Sequence, residues 1–186
     1  YTKQGTWREI QDKLIVPKNR LIELTKGSLT LGSLIVEPFS VSHDAADPIG
    51  INVFAGNDKA TIVTDTGVIS DDVLRRIDDT TLLVLEANYD PHMLRFGPYQ
   101  PFLKQRVASD EGHLSNEMAA QALLMMKRPD FMQVILAHRS ENNNNAVLVT
   151  QTIGKMLVDG GVRIGPEMKL QHGQPNEIVS IQSVKR

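Results

Sequence analysis

The sequence predicts an α/β fold in which helices cover a sheet, and three observations predict it. Short apolar runs bounded by turn residues recur through the chain, and such runs read as buried strands. In the second half these runs alternate with helical patterns: Thr81 to Leu85, Ser115 to Met126, Val134 to Ala137, and Ala146 to Val158. Met118, Ala119, Ala122, Leu123 and Met126 form an apolar stripe at helical spacing. The methionines in that stripe are read as core filler, since an unbranched thioether packs well into irregular gaps.

Taken in order, the elements begin with Trp7, Ile10 and Leu14 on one helical face, with Thr6 as the expected N-cap and Pro17 as the stop. Arg20 to Leu24 and Ser28 to Val41 are expected to be extended segments joined at Lys26-Gly27. Ile51 to Ala55 and Lys59 to Thr64 flank Gly56-Asn57-Asp58, which is hairpin turn chemistry. Ser70 is expected to cap a short helix whose Asp71 and Asp72 meet the positive end and whose Arg75 and Arg76 meet the negative end. The Asn142 to Asn145 run reads as a loop entering a helix, and Met168 to Val184 as one or two peripheral strands.

Bulk properties narrow the function. With 186 residues, 41% of them hydrophobic, the chain suits a single domain spanning 1–186. A net charge of -2 supplies no global basic field, so any nucleic-acid contact must come from a local patch. The absence of cysteine removes disulfides, thiolate ligands and a thiol nucleophile, so a metal would have to use imidazole and carboxylate. No apolar run has the length of a membrane span and no signal peptide is visible; the expected setting is cytoplasmic, with no membrane partner.

The residues that carry chemistry are His43, Asp65, Glu86, His113 and His138. Four of them follow apolar runs: His43 after Val36 to Val41, Asp65 after Thr61 to Val63, Glu86 after Leu82 to Leu85, and His138 after Phe131 to Ala137. Strands of a covered sheet share a rim, and polar side chains at successive strand ends converge there. Each signal is weak alone. Asp65, in Thr64-Asp65-Thr66-Gly67, can bridge two ions or simply bond its own turn amides. His43 precedes a loop with Asp44 and Asp47, two carboxylates able to orient an imidazole. His113 stands just ahead of the Ser115 helix, where Ser115, Asn116 and the first amides could hold a phosphate oxygen; the plain alternative is an N-cap beside an idle histidine. Lys104 and Arg106 could meet a phosphate backbone or form a solvated helix face. His92 and His172 are read as surface residues.

The strings Val41-Ser42-His43-Asp44-Ala45-Ala46-Asp47-Pro48, Thr64-Asp65-Thr66-Gly67, Leu85-Glu86-Ala87-Asn88, Gly112-His113-Leu114-Ser115-Asn116 and Ala137-His138-Arg139-Ser140-Glu141-Asn142-Asn143 resemble the metallo-β-lactamase superfamily. Within it they look most like the YycJ/WalJ group of nuclease-like hydrolases, relatives of ribonuclease Z. That resemblance implies an αββα sandwich of mixed sheets covered by helices. It also implies a dinuclear zinc or manganese site that activates water against a phosphodiester of a nucleic acid. By position His43 would bind the first metal, Asp65 would bridge, and His138 would bind the second. Glu86 and His113 would protonate the leaving oxygen, and Ser115, Asn116, Lys104 and Arg106 would contact substrate.

The family's HxHxDH motif is missing: no two histidines here are separated by a single residue. Tyr1 to Leu14 already resembles family sequence lying after that motif, so the expectation is an N-terminally truncated chain, the C-terminal portion of the fold without its first strands. Such a chain would bind metal weakly or not at all and be inactive alone. It would leave a sheet edge or apolar face to be covered by self-association or by the missing N-terminal part. The competing readings are a non-catalytic binding or regulatory module on the same scaffold, a hydrolase of another small-molecule ester or lactam, and an unrelated α/β domain whose polar residues merely end its strands.

Overall fold

A computed structural model describes residues 1–24, 27–174 and 177–181. Its strands are β1 (Leu29–Leu31), β2 (Leu34–Ser40), β3 (Ile49–Ala55), β4 (Asp58–Val63), β5 (Leu82–Glu86), β6 (Met132–Ala137) and β7 (Met168–His172). They form one seven-stranded sheet in sequential order. β1 to β4 pair antiparallel, whereas β4 to β7 pair parallel. The helices are α1 (Gln4–Ile10), α2 (Asp71–Ile77), α3 (Pro91–Phe96), α4 (Pro101–Val107), α5 (Asn116–Met125) and α6 (Ala146–Asp159). Each parallel step needs a crossover: α2 supplies it between β4 and β5, α3 to α5 between β5 and β6, and α6 between β6 and β7.

The core follows from strand alternation. Val63, Leu83, Leu85, Val134 and Leu136 point to one face and pack in a single cluster with Val73 and Ile77 of α2, Ala119, Ala120 and Leu123 of α5, and Val149, Ile153 and Leu157 of α6. Met126, Met132 and Met168 fill the same core. The opposite face carries a row in register, Ile51, Ile62, Val84 and Ile135. That row is covered only in part, and Ile62 is 42% exposed. The sandwich implied two sheets; among the described residues there is one mixed sheet, with helices α2, α5 and α6 on one face.

Local chemistry explains the boundaries. Ser70 and Ser115 accept from the amides of Val73 and Met118, capping α2 and α5. Asn145 likewise caps α6. Gly56, at φ 60°, turns the two-residue β3–β4 hairpin. Lys59, its pKa lowered by burial, donates to the carbonyls of Arg76 and Asp78 at 2.7 Å each and so closes the end of α2.

The amino-terminal expectations need correction. The first helix runs from Gln4 to Ile10, with Lys3 and not Thr6 at its N-cap, and it buries no residue. Leu14 lies beyond its end and is exposed, so it shares no buried face with Trp7 and Ile10. Ser28 to Val41 is two paired strands, since Gly32 at φ 61° reverses the chain. Arg20 to Leu24 contributes a lone parallel bridge, Glu23 to Thr2, after a 3-10 turn at Lys18–Arg20. The proposed joint at Lys26 and the tail beyond Ile181 lie outside the described residues; the part that is described forms one edge strand, β7.

A buried polar string ties α2 to the sheet. The Thr61 hydroxyl donates to Asn52 Oδ1 at 2.7 Å and lies 2.7 Å from the Thr80 hydroxyl, while Asn52 Nδ2 donates to the Arg76 carbonyl at 3.1 Å. Thr61→Val keeps the shape but strands two buried partners, and urea unfolding is expected to show a loss of about 1–3 kcal/mol.

Candidate metal centre

The parallel β4, β5 and β6 end at one rim, and β2 points the same way because two antiparallel steps separate it from β4. The rim receives His43 two residues beyond the strand neighbour Val41, Asp65 two beyond β4, Glu86 as the last residue of β5, and His138 directly after β6. Asp65 and His138 adopt left-handed backbone at φ 55° and 51°. That conformation is uncommon outside glycine and turns each side chain sharply off its strand. Thr66 and Gly67 fix the first turn: Ser42 N donates to Thr66 Oγ1 at 3.3 Å, and Gly67 N donates to the Ser42 carbonyl at 2.9 Å. Gly67 cannot be larger, since a Cβ there would meet the Ser109 carbonyl oxygen at 2.2 Å.

His113 arrives differently, on the segment between α4 and α5. Asn88 N donates to the Leu114 carbonyl and Asn116 N to the Tyr89 carbonyl, both at 3.0 Å, so this segment lies alongside the chain leaving β5. On the other flank Ala87 N donates to Ala137 O at 3.0 Å and Ser140 N to Asn88 O at 2.9 Å. Residues 87–90 are thus held between the two histidine-bearing segments.

At the centre is Glu86, fully buried. Its Oε1 accepts from His113 Nδ1 at 2.7 Å and from His138 Nδ1 at 3.0 Å, and its Oε2 accepts from Thr66 N at 3.1 Å. Asp65 Oδ1 stands 3.7 Å from both His43 Nε2 and His138 Nδ1. His43 Nδ1 lies 3.0 Å from the Gly112 carbonyl, which can only accept, so Nδ1 carries the proton and Nε2 faces Asp65. Asp44 stands 3.5 Å from that Nε2, while Asp47 turns away to Gly5 N and Lys3. The orienting acceptor of His43 is therefore a backbone carbonyl and not the Asp47 carboxylate.

Ligand atoms from His43, Asp65 and His113 lie within 4.8 Å of one another, and so do those from Glu86, His113 and His138. The donors are imidazole nitrogen and carboxylate oxygen, a set suited to zinc or manganese. Glu86, holding the Nδ1 proton of His138, leaves that ring's Nε2 lone pair free, the usual support for a metal-binding histidine.

The other candidates separate into scaffold and surface. Ser115 is buried and its hydroxyl is committed to the α5 cap. Asn116 is buried too, exchanging two hydrogen bonds with Asn144 at 2.8 and 3.1 Å. Neither presents a free polar atom to a phosphate, because the first turn of α5 is packed under the rim. Lys104 Nζ closes α3 by donating to the Arg95 carbonyl at 2.8 Å. Arg106 is exposed and forms a two-point ion pair with Asp44, which brings a cation beside His43. His92 is on the surface, against Phe96. His172 is half-buried instead, with Nε2 2.8 Å from Thr150 Oγ1, and burial, then the Arg139 charge, hold its pKa down.

Several supporting residues gave little sequence signal. Asn88 Nδ2 donates to the His138 carbonyl at 2.7 Å, and Asn144 Nδ2 reaches the carbonyls of Ala87 and Asn88, both at 3.1 Å. The Asn142 to Asn145 run, read as a plain loop, is in part a buried bracket for the rim; only its unusual asparagine density hinted at this.

Electrostatics follow from Glu86. Burial opposes its ionisation, but hydrogen bonds from His113 and His138, the His113 charge, and the Thr66 amide outweigh burial and hold its pKa below the ordinary range. The hydrogen bond to Glu86 raises the pKa of His138 against the cost of burial, with the Glu86 and Asp65 charges adding to it. A depressed carboxylate stabilises the fold above its unfolded pKa and loses that contribution as pH falls through the folded value. A raised imidazole stabilises it below its unfolded pKa and loses that contribution as pH rises through the folded value. In metal-free protein, ring NMR is expected to show His138 titrating above 6.5, and Glu86→Gln is expected to bring the midpoint down towards or below that value. A His138 midpoint unmoved by the substitution would show that Glu86 does not hold the ring.

Comparison with known proteins agrees with this arrangement. Residues 1–138 match the family described as Beta-lactamase superfamily domain. The chain is 32% identical over 186 residues to the exodeoxyribonuclease YycJ of Bacillus anthracis, covering 99% of this chain and 70% of that protein. It is 30% identical over 181 residues to the exodeoxyribonuclease WalJ of Streptococcus pneumoniae serotype 2 strain D39, covering 95% and 67%. Among solved structures, the metallo-β-lactamase fold protein YhfI of Bacillus subtilis superposes with a TM-score of 0.64 at 13% identity, over 90% of this chain and 60% of that one. The family match over residues 1–138 and the identity to these relatives place this chain in the β-lactamase superfamily.

Proposed function

We propose that this chain carries part of the active site of a metal-dependent phosphodiester hydrolase, a nuclease that acts on DNA. The observation that carries this reading is the convergence of His43, Asp65, Glu86, His113 and His138, from five separate segments, into two overlapping donor groups that share His113. The relatives named exodeoxyribonucleases favour DNA over other substrates of the superfamily.

In this reading His43, Asp65 and His138 would hold the divalent ions, with Asp65 the more open carboxylate. Bound there, zinc or manganese would supply Lewis-acid activation of water and neutralise charge on the phosphate. The chain's own residues handle the proton. Glu86 orients the His113 ring by accepting from its Nδ1, and Nε2 then delivers a proton to the departing oxygen. Phosphate positioning falls to Arg106, which can exchange Asp44 for a phosphate oxygen at the surface, and not to the buried Ser115 and Asn116.

Two experiments test this. With about two protein donors per ion, below the three of ordinary catalytic zinc sites, this chain alone is expected to bind metal weakly and to be inactive until HxHxDH donors complete the site. Metal analysis after dialysis should find far less than one ion per chain, and near-stoichiometric, tightly held zinc would contradict the proposal. In protein that contains the HxHxDH donors, His113→Ala should lower phosphodiester turnover by about 10²–10⁴-fold and leave metal content nearly unchanged. Loss of metal instead would make His113 a ligand.

A further inference from the structure

A pair of buried side chains that belongs to neither donor group spans the rim. Helices α5 and α6 both begin there, α5 at Asn116 and α6 after its Asn145 cap. His113 lies three residues before Asn116, and His138 six residues before Asn144. Between these two stretches runs the segment 87–90. It is joined to one side through the carbonyls of Leu114 and Tyr89 and to the other through those of Ala137 and Asn88. The backbone thus lays the two histidine-bearing stretches on either side of a common strip.

Two side-chain amides then lock the strip. Asn116 Nδ2 donates to Asn144 Oδ1 at 3.1 Å, and Asn144 Nδ2 returns a bond to Asn116 Oδ1 at 2.8 Å, with both residues buried. The other Nδ2 hydrogen of Asn144 is shared between the carbonyls of Ala87 and Asn88, each at 3.1 Å, and its Oδ1 also accepts from Asn145 N at 2.9 Å. The first residue of α5, the central segment and the residue before the α6 cap are therefore tied at one point. The partners fix which way the amide faces, since a flipped Asn144 would set Oδ1 against two carbonyl oxygens. A carboxylate at that position lacks the donors, and a hydroxyl lacks the reach.

We infer that Asn116 and Asn144 act as one positioning pair, which sets His113 and His138 at the separation that lets both reach the same oxygen of Glu86. The inference rests on the phosphodiesterase reading for the use made of that separation. The two rings have centroids 5.2 Å apart, and their Nδ1 atoms lie 2.7 and 3.0 Å from Glu86 Oε1. Hydrogen bonds keep their strength over only a few tenths of an ångström, so a small shift of the α5 start against the α6 start breaks one of the two. Both asparagines are buried, so they act through the histidines and not on a substrate.

The test reads the two rings directly. In proton NMR of the metal-free 186-residue chain, an imidazole Nδ1 proton bonded to a carboxylate resonates downfield of the amide region, and His113 and His138 each supply one. Asn116→Ala and Asn144→Ala are recorded at a temperature where amide dispersion shows each variant folded. Each is expected to shift both resonances or broaden them away, and the double variant to do no more than the stronger single one, as residues acting as a unit are not additive. Thr61→Val is the control, because it removes stability at the Asn52 and Thr80 string and should leave both resonances in place. If Asn144→Ala fails to fold, Asn116→Ala carries the test, since Asn144 then keeps its bonds to Ala87 and Asn88. Unmoved resonances in folded Asn116→Ala, or the same change in Thr61→Val, overturn the inference. In protein that contains the HxHxDH donors, Asn116→Ala should lower kcat for a phosphodiester by about 10²-fold with KM nearly unchanged. An unchanged kcat there overturns the positioning role. Resonances that move as expected, in a protein that hydrolyses no phosphodiester once completed, leave the pair standing and overturn the phosphodiesterase reading.

Discussion

A fully buried carboxylate has to find donors or lose its charge, and the donors Glu86 finds come from three different parts of the chain. The Thr66 amide belongs to the turn after β4, His113 to the segment before α5, and His138 to the end of β6. Any arrangement that lets one of them drift leaves a charge in the core. The same interaction that satisfies Glu86 therefore sets the spacing of two imidazoles and the position of the Asp65 turn. Stability and site geometry are coupled here, and the coupling holds wherever Glu86 is ionised.

The rim also holds unfavourable backbone. Asp65 and His138 sit in left-handed conformations that cost on the order of 1 kcal/mol or more each. Their surroundings offset this. Asn88 grips the His138 carbonyl, Thr66 ties its turn to the residue before His43, and Asn144 holds the carbonyls of Ala87 and Asn88. Positive φ alone does not mark a site, since Asp79 shares it at the surface beside Lys127. What distinguishes Asp65 and His138 is that their turns bring the two side chains within 3.7 Å of each other, with His138 also on Glu86.

Charge is distributed so that the bulk value conceals it. The chain carries a net -2, yet Arg106 and Arg139 both line the groove beside His113. Asp44 pairs with Arg106 and stands 3.5 Å from His43 Nε2, so one carboxylate links the two.

The sequence by itself determined the α/β class, the hairpin at Gly56, the Ser70 and Ser115 caps, and the positions of four polar residues, His43, Asp65, Glu86 and His138, at the ends of strands. These are local or periodic features: a turn needs its glycine, a cap its hydroxyl, and a strand its alternation, each within a few residues. The Asn142 to Asn145 run is the loop entering α6 that the sequence indicated, but the burial of Asn116 and Asn144 was hidden, because a buried asparagine and a surface one look alike until their partners are known. Of the two carboxylates offered to His43, Asp44 stands 3.5 Å from Nε2 and Asp47 turns away, while Nδ1 meets the carbonyl of Gly112, far along the chain. Only the tertiary structure decided that Glu86 serves two histidines at once and that β2 and β4 share a direction so that His43 meets Asp65. Such pairings depend on sheet order and crossovers, which bring residues distant in sequence to one rim and leave no periodic trace in the chain.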